Sequence, residues 1–137
     1  MPFDDMSIRT KPEIALLDKM AQILAKPEHW CKSAMVSRND RYADNQYCLY
    51  GALTLASYGM PICAGEYRSP KGYQFATSEA RAVHMAIANL APTPPDDAVK
   101  ERAGVYYNNA DTTTHADILA FIGKVREHFE QEALAAA

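Results

Sequence analysis

Residues 46–58, Gln46-Tyr47-Cys48-Leu49-Tyr50-Gly51-Ala52-Leu53-Thr54-Leu55-Ala56-Ser57-Tyr58, decide the fold class. Cys48, Ala52 and Leu55 fall on one helical line, and Leu49, Leu53 and Ala56 on the next. That is the three-and-four spacing of a helix, not the alternation of a half-buried strand. A helix that is apolar on most of its sides belongs inside a domain. The pattern therefore predicts a central helix over Gln46–Tyr58, capped by Asp44 or Asn45 and ended by Gly59 with Met60-Pro61 behind it. Gly51 within it costs up to about 1 kcal/mol against Ala. A close helix–helix approach at Gly51 and Ala52 would offset that.

Three further helices flank it. Pro12 to Lys26 carries Ile14, Leu17, Ala21 and Leu24 on one face, widened by Leu16, Met20 and Ile23. Thr10 is placed to cap it, Pro12 sits in the first turn, and Pro27 stops it. Glu79 to Ala91 follows a cap at Thr77 or Ser78, with Val83, Ala86, Ile87 and Leu90 as its buried line and Pro92-Thr93-Pro94-Pro95 closing it. His115 to Leu134 begins with Thr114 and Asp117 in capping-box spacing and carries Ile118, Phe121, Ile122, Val125 and Phe129. Cys31 to Ser37 is β-compatible, and Met60 to Ala76 reads as a loop or small irregular hairpin. Asp96 to Arg102 reads as a short helix broken at Gly104. The sum is a mainly α bundle of about four helices with long irregular connections.

Composition sets the outer bounds. A chain of 137 residues reads as one domain, frayed at residues 1–9 and 135–137, and needs no cross-links to build a core. Lys+Arg is 14 and Asp+Glu is 17, a net charge of −3, which disfavours general binding to nucleic-acid phosphates. Met1-Pro2-Phe3-Asp4-Asp5 lacks the basic and apolar regions of a secretory signal, and no run is long and apolar enough for a membrane span. Three cysteines, Cys31, Cys48 and Cys63, form no C-x₂-C pair. They point to reduced thiols in a cytoplasm and away from a structural zinc site.

Three segments together carry a family likeness: Trp30 after the opening helix; Cys48-Leu49-Tyr50-Gly51-Ala52-Leu53 as a C-x-x-G-A-L helix; and Tyr107-Asn108-Asn109-Ala110-Asp111 followed by Thr114, Asp117, Ile118 and Leu119. In that order they resemble a family of short bacterial and phage proteins catalogued as a domain of unknown function. The resemblance spans roughly Ile14 to Val125. Tyr107 stands where the family usually has Trp, Asn109 where it usually has Asp, and Met60–Ala76 has no counterpart. The resemblance supports the helical fold and implies no activity.

Candidate functional residues fall into two groups. Six of the eight tyrosines lie between Tyr42 and Tyr73, near Lys32, Arg38, Arg41, Arg68 and Lys71. Such a Tyr/Arg-rich surface, with Tyr47, Arg68 and Tyr73 at its centre, suits a macromolecular partner or self-association. The same mixture stacks single-stranded nucleic acid elsewhere, but Asp40, Asp44 and Glu66 dilute it here. The second group is a pocket between the central helix and the Tyr107–Asp111 turn, containing Cys48, Tyr107, Asn108 and His115. There Tyr106 or Tyr107 would stack a ring, and Asn108 and Asn109 would read its edge. Cys48 in the first turn of a helix is placed for thiolate chemistry, with His29, His84 or His115 as the base; the plainer role is a small core residue. His115 with Asp111 and Asp117 would have to cluster to hold a metal, and capping or surface roles weigh more. No phosphate-binding glycine loop and no H-E-x-x-H occurs.

The primary expectation is a non-enzymatic interaction protein of the cytoplasm, needing no cofactor, metal or membrane. The alternative is a small-molecule or nucleotide binder, or an enzyme, using the pocket near Cys48 and Tyr107–Asp111.

Overall fold

The computed structural model describes residues 11–32, 36–37, 46–58, 68–69, 72–73, 77–92 and 102–136. The fold is mainly α. Five α-helices are present among the described residues: α1 (Pro12–Ile23), α2 (Leu49–Tyr58), α3 (Ser78–Leu90), α4 (Ala103–Asn109) and α5 (His115–Ala136). Two antiparallel strand pairs accompany them, β1 (Val36–Ser37) with β2 (Gln46–Tyr47), and β3 (Arg68–Ser69) with β4 (Gly72–Tyr73). The expected hairpin within Met60–Ala76 is therefore β3–β4.

Helix α1 packs against α2, α3 and α5, and α4 packs against α2 and α3. The core is continuous. Leu17, Met20 and Leu24 meet Leu49, Tyr50 and Leu53, with Val83, Ile87, Ile118 and Val125 closing the sides. Most positions of the expected apolar stripes are buried, because each helix has one face it can hide, while Ala21, Ile23, Leu55, Ala56 and Leu90 are half-buried at the edges.

Local signals at two helix starts behave as read. Thr77 Oγ1 accepts from the Ala80 N–H at 3.2 Å. Thr114 and Asp117 form the reciprocal capping box: the Thr114 N–H donates to Asp117 Oδ2 at 2.9 Å, and the Asp117 N–H to Thr114 Oγ1 at 3.2 Å. Pro92 closes α3 by holding Ala91 extended, the conformation that a residue before proline favours.

Other local readings need correction. Helix α1 ends at Ile23, not Lys26, and Pro27 opens a 3₁₀ turn, Pro27–His29. Lys11 occupies its N-cap position without a side-chain cap, and Thr10 lies outside the described residues. Helix α2 begins at Leu49, because Gln46 and Tyr47 are held in the strand pair with Ser37 and Val36. Asp44 and Asn45 lie outside the described residues. Cys48 takes the cap position instead: its carbonyl accepts from the Ala52 N–H at 2.9 Å and its sulfur from the Gly51 N–H at 3.4 Å.

The largest correction concerns α4. Gly104, read as a breaker, is its second residue, and Tyr106–Asn109, read as turn, is helical. Gly, Val, Tyr and Asn are poor helix formers, so local propensity argues against this helix. Packing overrides it: Ala103, Gly104 and Asn108 are buried, with Gly104 and Asn108 four residues apart on one face. A Cβ on Gly104 would lie 2.5 Å from Ile87 Cγ2 and 2.5 Å from Tyr50 Oη. Gly104 is thus a point of close approach between α4 and both α2 and α3.

Candidate functional site

Asn108 is the polar centre of the fold. It is 1% exposed. Its Oδ1 accepts from Trp30 Nε1 at 2.8 Å and from the Leu49 N–H at 3.3 Å. Its Nδ2 donates to the Cys31 carbonyl at 3.1 Å and to Asn109 Oδ1 at 3.1 Å. One amide thereby caps the start of α2, fixes the indole and anchors the chain after the 3₁₀ turn. A buried amide is stabilising only when both ends are satisfied, as here. The three segments that carry the family likeness meet at this side chain.

Neighbouring groups brace the node. The Cys31 N–H donates to the Tyr47 carbonyl at 3.1 Å, and Trp30 and Tyr47 form a parallel β-bridge. Lys32 Nζ donates to the Ala110 carbonyl at 2.6 Å and stands 5.6 Å from the Trp30 ring centroid. His115 Nε2 donates to the Leu24 carbonyl at 2.6 Å, and its ring lies 6.3 Å from that of Trp30. A carbonyl cannot donate, so Nε2 is the nitrogen that carries hydrogen.

This geometry separates the residues of the expected pocket. Asn108 is spent on structure. Cys48 is buried at the start of α2, and burial pushes its thiol above the ordinary range, outweighing the hydrogen bonds that would lower it. The helix terminus therefore does not produce a thiolate. His84 is buried with its ring 5.0 Å from that of Tyr50. Asp117 caps α5 and His115 holds Leu24, so these two do not join Asp111 in a metal site. Among the described residues no group of three His, Cys, Asp or Glu side chains is placed to hold a metal ion.

Tyr107, Asn109 and Asp111 do come together. With Pro92, Tyr106, Ala110, Thr112 and Thr113 they line an open cleft of about 540 Å³. A turn closed by the Thr113 N–H on the Ala110 carbonyl at 3.0 Å forms one wall. A second cleft of about 320 Å³ shares Pro92 and Tyr107 and continues to Asp117, Phe121 and Lys124. Tyr107 stands between them, its ring 5.0 Å from that of Phe121. Burial raises the ionisation range of its hydroxyl, and the negative charge of Asp117 raises it further. Tyr106 is 39% exposed, more than the other large aromatics among the described residues whose burial is known. Thr112 and Thr113 belong to the polar segment running into α5, whereas Pro92 has no sequence mark as cleft lining, since its role as a helix stop accounts for it locally.

Of the Tyr/Arg-rich surface, Tyr47 is half-buried against the core. Arg68 and Tyr73 are register partners in β3–β4. Tyr42, Tyr67, Arg38, Arg41, Lys71 and also Cys63 lie outside the described residues.

Fold and signature together define a small helical domain organised around a buried asparagine. The chain belongs to the family of unknown function DUF6197, which it matches over residues 9–128. No curated protein and no solved structure matches it significantly. Among the described residues no helix is long and apolar enough to cross a membrane.

Proposed function

We propose that this protein is a binding protein whose site is the cleft at Tyr106–Thr113, and that its ligand is a small molecule seated against the two tyrosines. The observation that carries this reading is the cleft of about 540 Å³ lined by Tyr106, Tyr107, Asn109 and Asp111. Its size falls within the range of small-molecule sites, roughly 300–1,000 Å³. It pairs aromatic surface with a few convergent polar groups, the usual division between affinity and orientation. Asn108 ties α4 from behind to Trp30 and to the start of α2, which supports a cleft wall formed before any ligand arrives.

A thermal-shift screen of small planar and charged compounds tests it. A ligand at about 100 times its Kd should add about 2.7 kcal/mol of stability. The gain should vanish in Tyr106→Ala and Asn109→Ala. A hit whose effect survives both substitutions, or a screen with no hit, would overturn the reading.

A further inference from the structure

Resting on that reading, we infer that the cleft takes an organic cation, a small alkylated or quaternary ammonium group held between Tyr106, Tyr107 and the Asp111 carboxylate. Among the described residues lining the larger cleft, Asp111 is the one charged side chain. It is exposed and makes no hydrogen bond or ion pair with another described residue. Asp117 adds a second negative charge beyond Tyr107, in the adjoining cleft. Its field reaches the site, since it disfavours ionisation of the Tyr107 hydroxyl. Lys124 lies two helical turns further along α5 and lines only the smaller cleft.

Among the described residues the Asp111 carboxylate disfavours phosphates and carboxylates in the cleft and draws a cation, while the opposing charge of Lys32 is engaged behind the wall by the Ala110 carbonyl and the Trp30 ring. Aromatic rings supply the second attraction, because the negative face of a ring draws an ammonium group that hydration holds weakly. Quaternary nitrogen suits both: it is bulky enough for an open cleft and too weakly hydrated to prefer water. A metal ion does not suit the site, since Asp111 offers one carboxylate and no described His or Cys lines the cleft.

The test is an amide chemical-shift titration of the whole chain with tetramethylammonium chloride, with sodium chloride at equal ionic strength as control. Adenosine monophosphate and indole serve as the anionic and neutral ring probes. The expected result is saturable shifts in Tyr106–Thr113 with tetramethylammonium alone. Asp111→Asn and Tyr106→Ala, both at exposed positions, should each weaken binding by about three- to tenfold while the unfolding temperature holds. Saturation that Asp111→Asn leaves unchanged would overturn the cation inference. If indole or adenosine monophosphate saturates the same amides and tetramethylammonium does not, the cleft stands as the site and the cation inference falls. If no probe shifts these amides, both fall.

Discussion

Replacing Gly104 by Ala tests the packing of α4 directly. The added Cβ would lie 2.5 Å from Ile87 Cγ2, 2.5 Å from Tyr50 Oη and 2.9 Å from Tyr50 Cζ. Neither obstacle can swing aside. Ile87 is 1% exposed and Tyr50 is 0% exposed. The Ile87 methyl also branches from Cβ, so moving it means changing a stiff χ1. The helix must instead lift from α2 and α3, and overpacking of this kind costs about 1–3 kcal/mol. Better helix propensity returns up to about 1 kcal/mol, and less so near a helix end. The expected net loss is about 1–2 kcal/mol, or a fall of about 4–8 °C in unfolding temperature. Urea unfolding followed by circular dichroism and by Trp30, the single tryptophan, measures it. Gly123→Ala is the internal control: it lies in α5, is exposed, and its Cβ would meet nothing within 4 Å. It should stabilise by about 0.5–1 kcal/mol. Adding Tyr50→Phe to Gly104→Ala removes the hydroxyl that blocks the Cβ and should recover part of the loss, seen as a favourable coupling of at least about 0.5 kcal/mol. A Gly104→Ala chain as stable as the parent would refute the close approach.

Asn108→Ala should cost about 3 kcal/mol or more, because it strands the Trp30 and Leu49 N–H groups and the Cys31 carbonyl, and the shifted emission of Trp30 should report the loss at the node itself. Thr77→Ala should cost about 1 kcal/mol by denaturant titration, since it removes the cap on α3. Cys48 should react with iodoacetamide more slowly than the less buried Cys31 when labelled peptides are quantified by mass spectrometry, and comparable rates would contradict its burial. The raised Cys48 value also sets a pH dependence. Folding keeps the thiol protonated, so its contribution is intact below the ordinary thiol value of about 8.5 and is lost as the pH rises above it. Cys48→Ser should reduce that alkaline loss.

Much of the helical framework was legible because its signals are local. Thr77 caps a backbone group three residues away, Thr114 and Asp117 cap each other, and Pro92 acts on its neighbour. The stripes of α1, α3 and α5 were legible for the same reason, since three-and-four spacing on a rigid helix determines which side chains share a face. The start of α2 was misplaced because Gln46 and Tyr47 obey a strand partner nine or more residues back in the chain, and that pairing leaves no mark in the helix itself. The candidate pocket was half legible. Tyr107, Asn109 and Asp111 do line a cleft, but Asn108 between them turns to the core, which the helical geometry of α4 imposes.

The sequence by itself determined the helical class, the family likeness, the faces of three helices and two of their caps, all from interactions within one turn or from repeated spacing. Only the tertiary structure decided that Ala103–Asn109 is a helix, that Gly104 is its contact point, and that Asn108 caps a helix 59 residues away in the chain. The physical reason is that weak local propensity leaves such a segment undetermined until burial chooses for it. A buried amide likewise takes its partners from whatever the packing brings within about 3 Å.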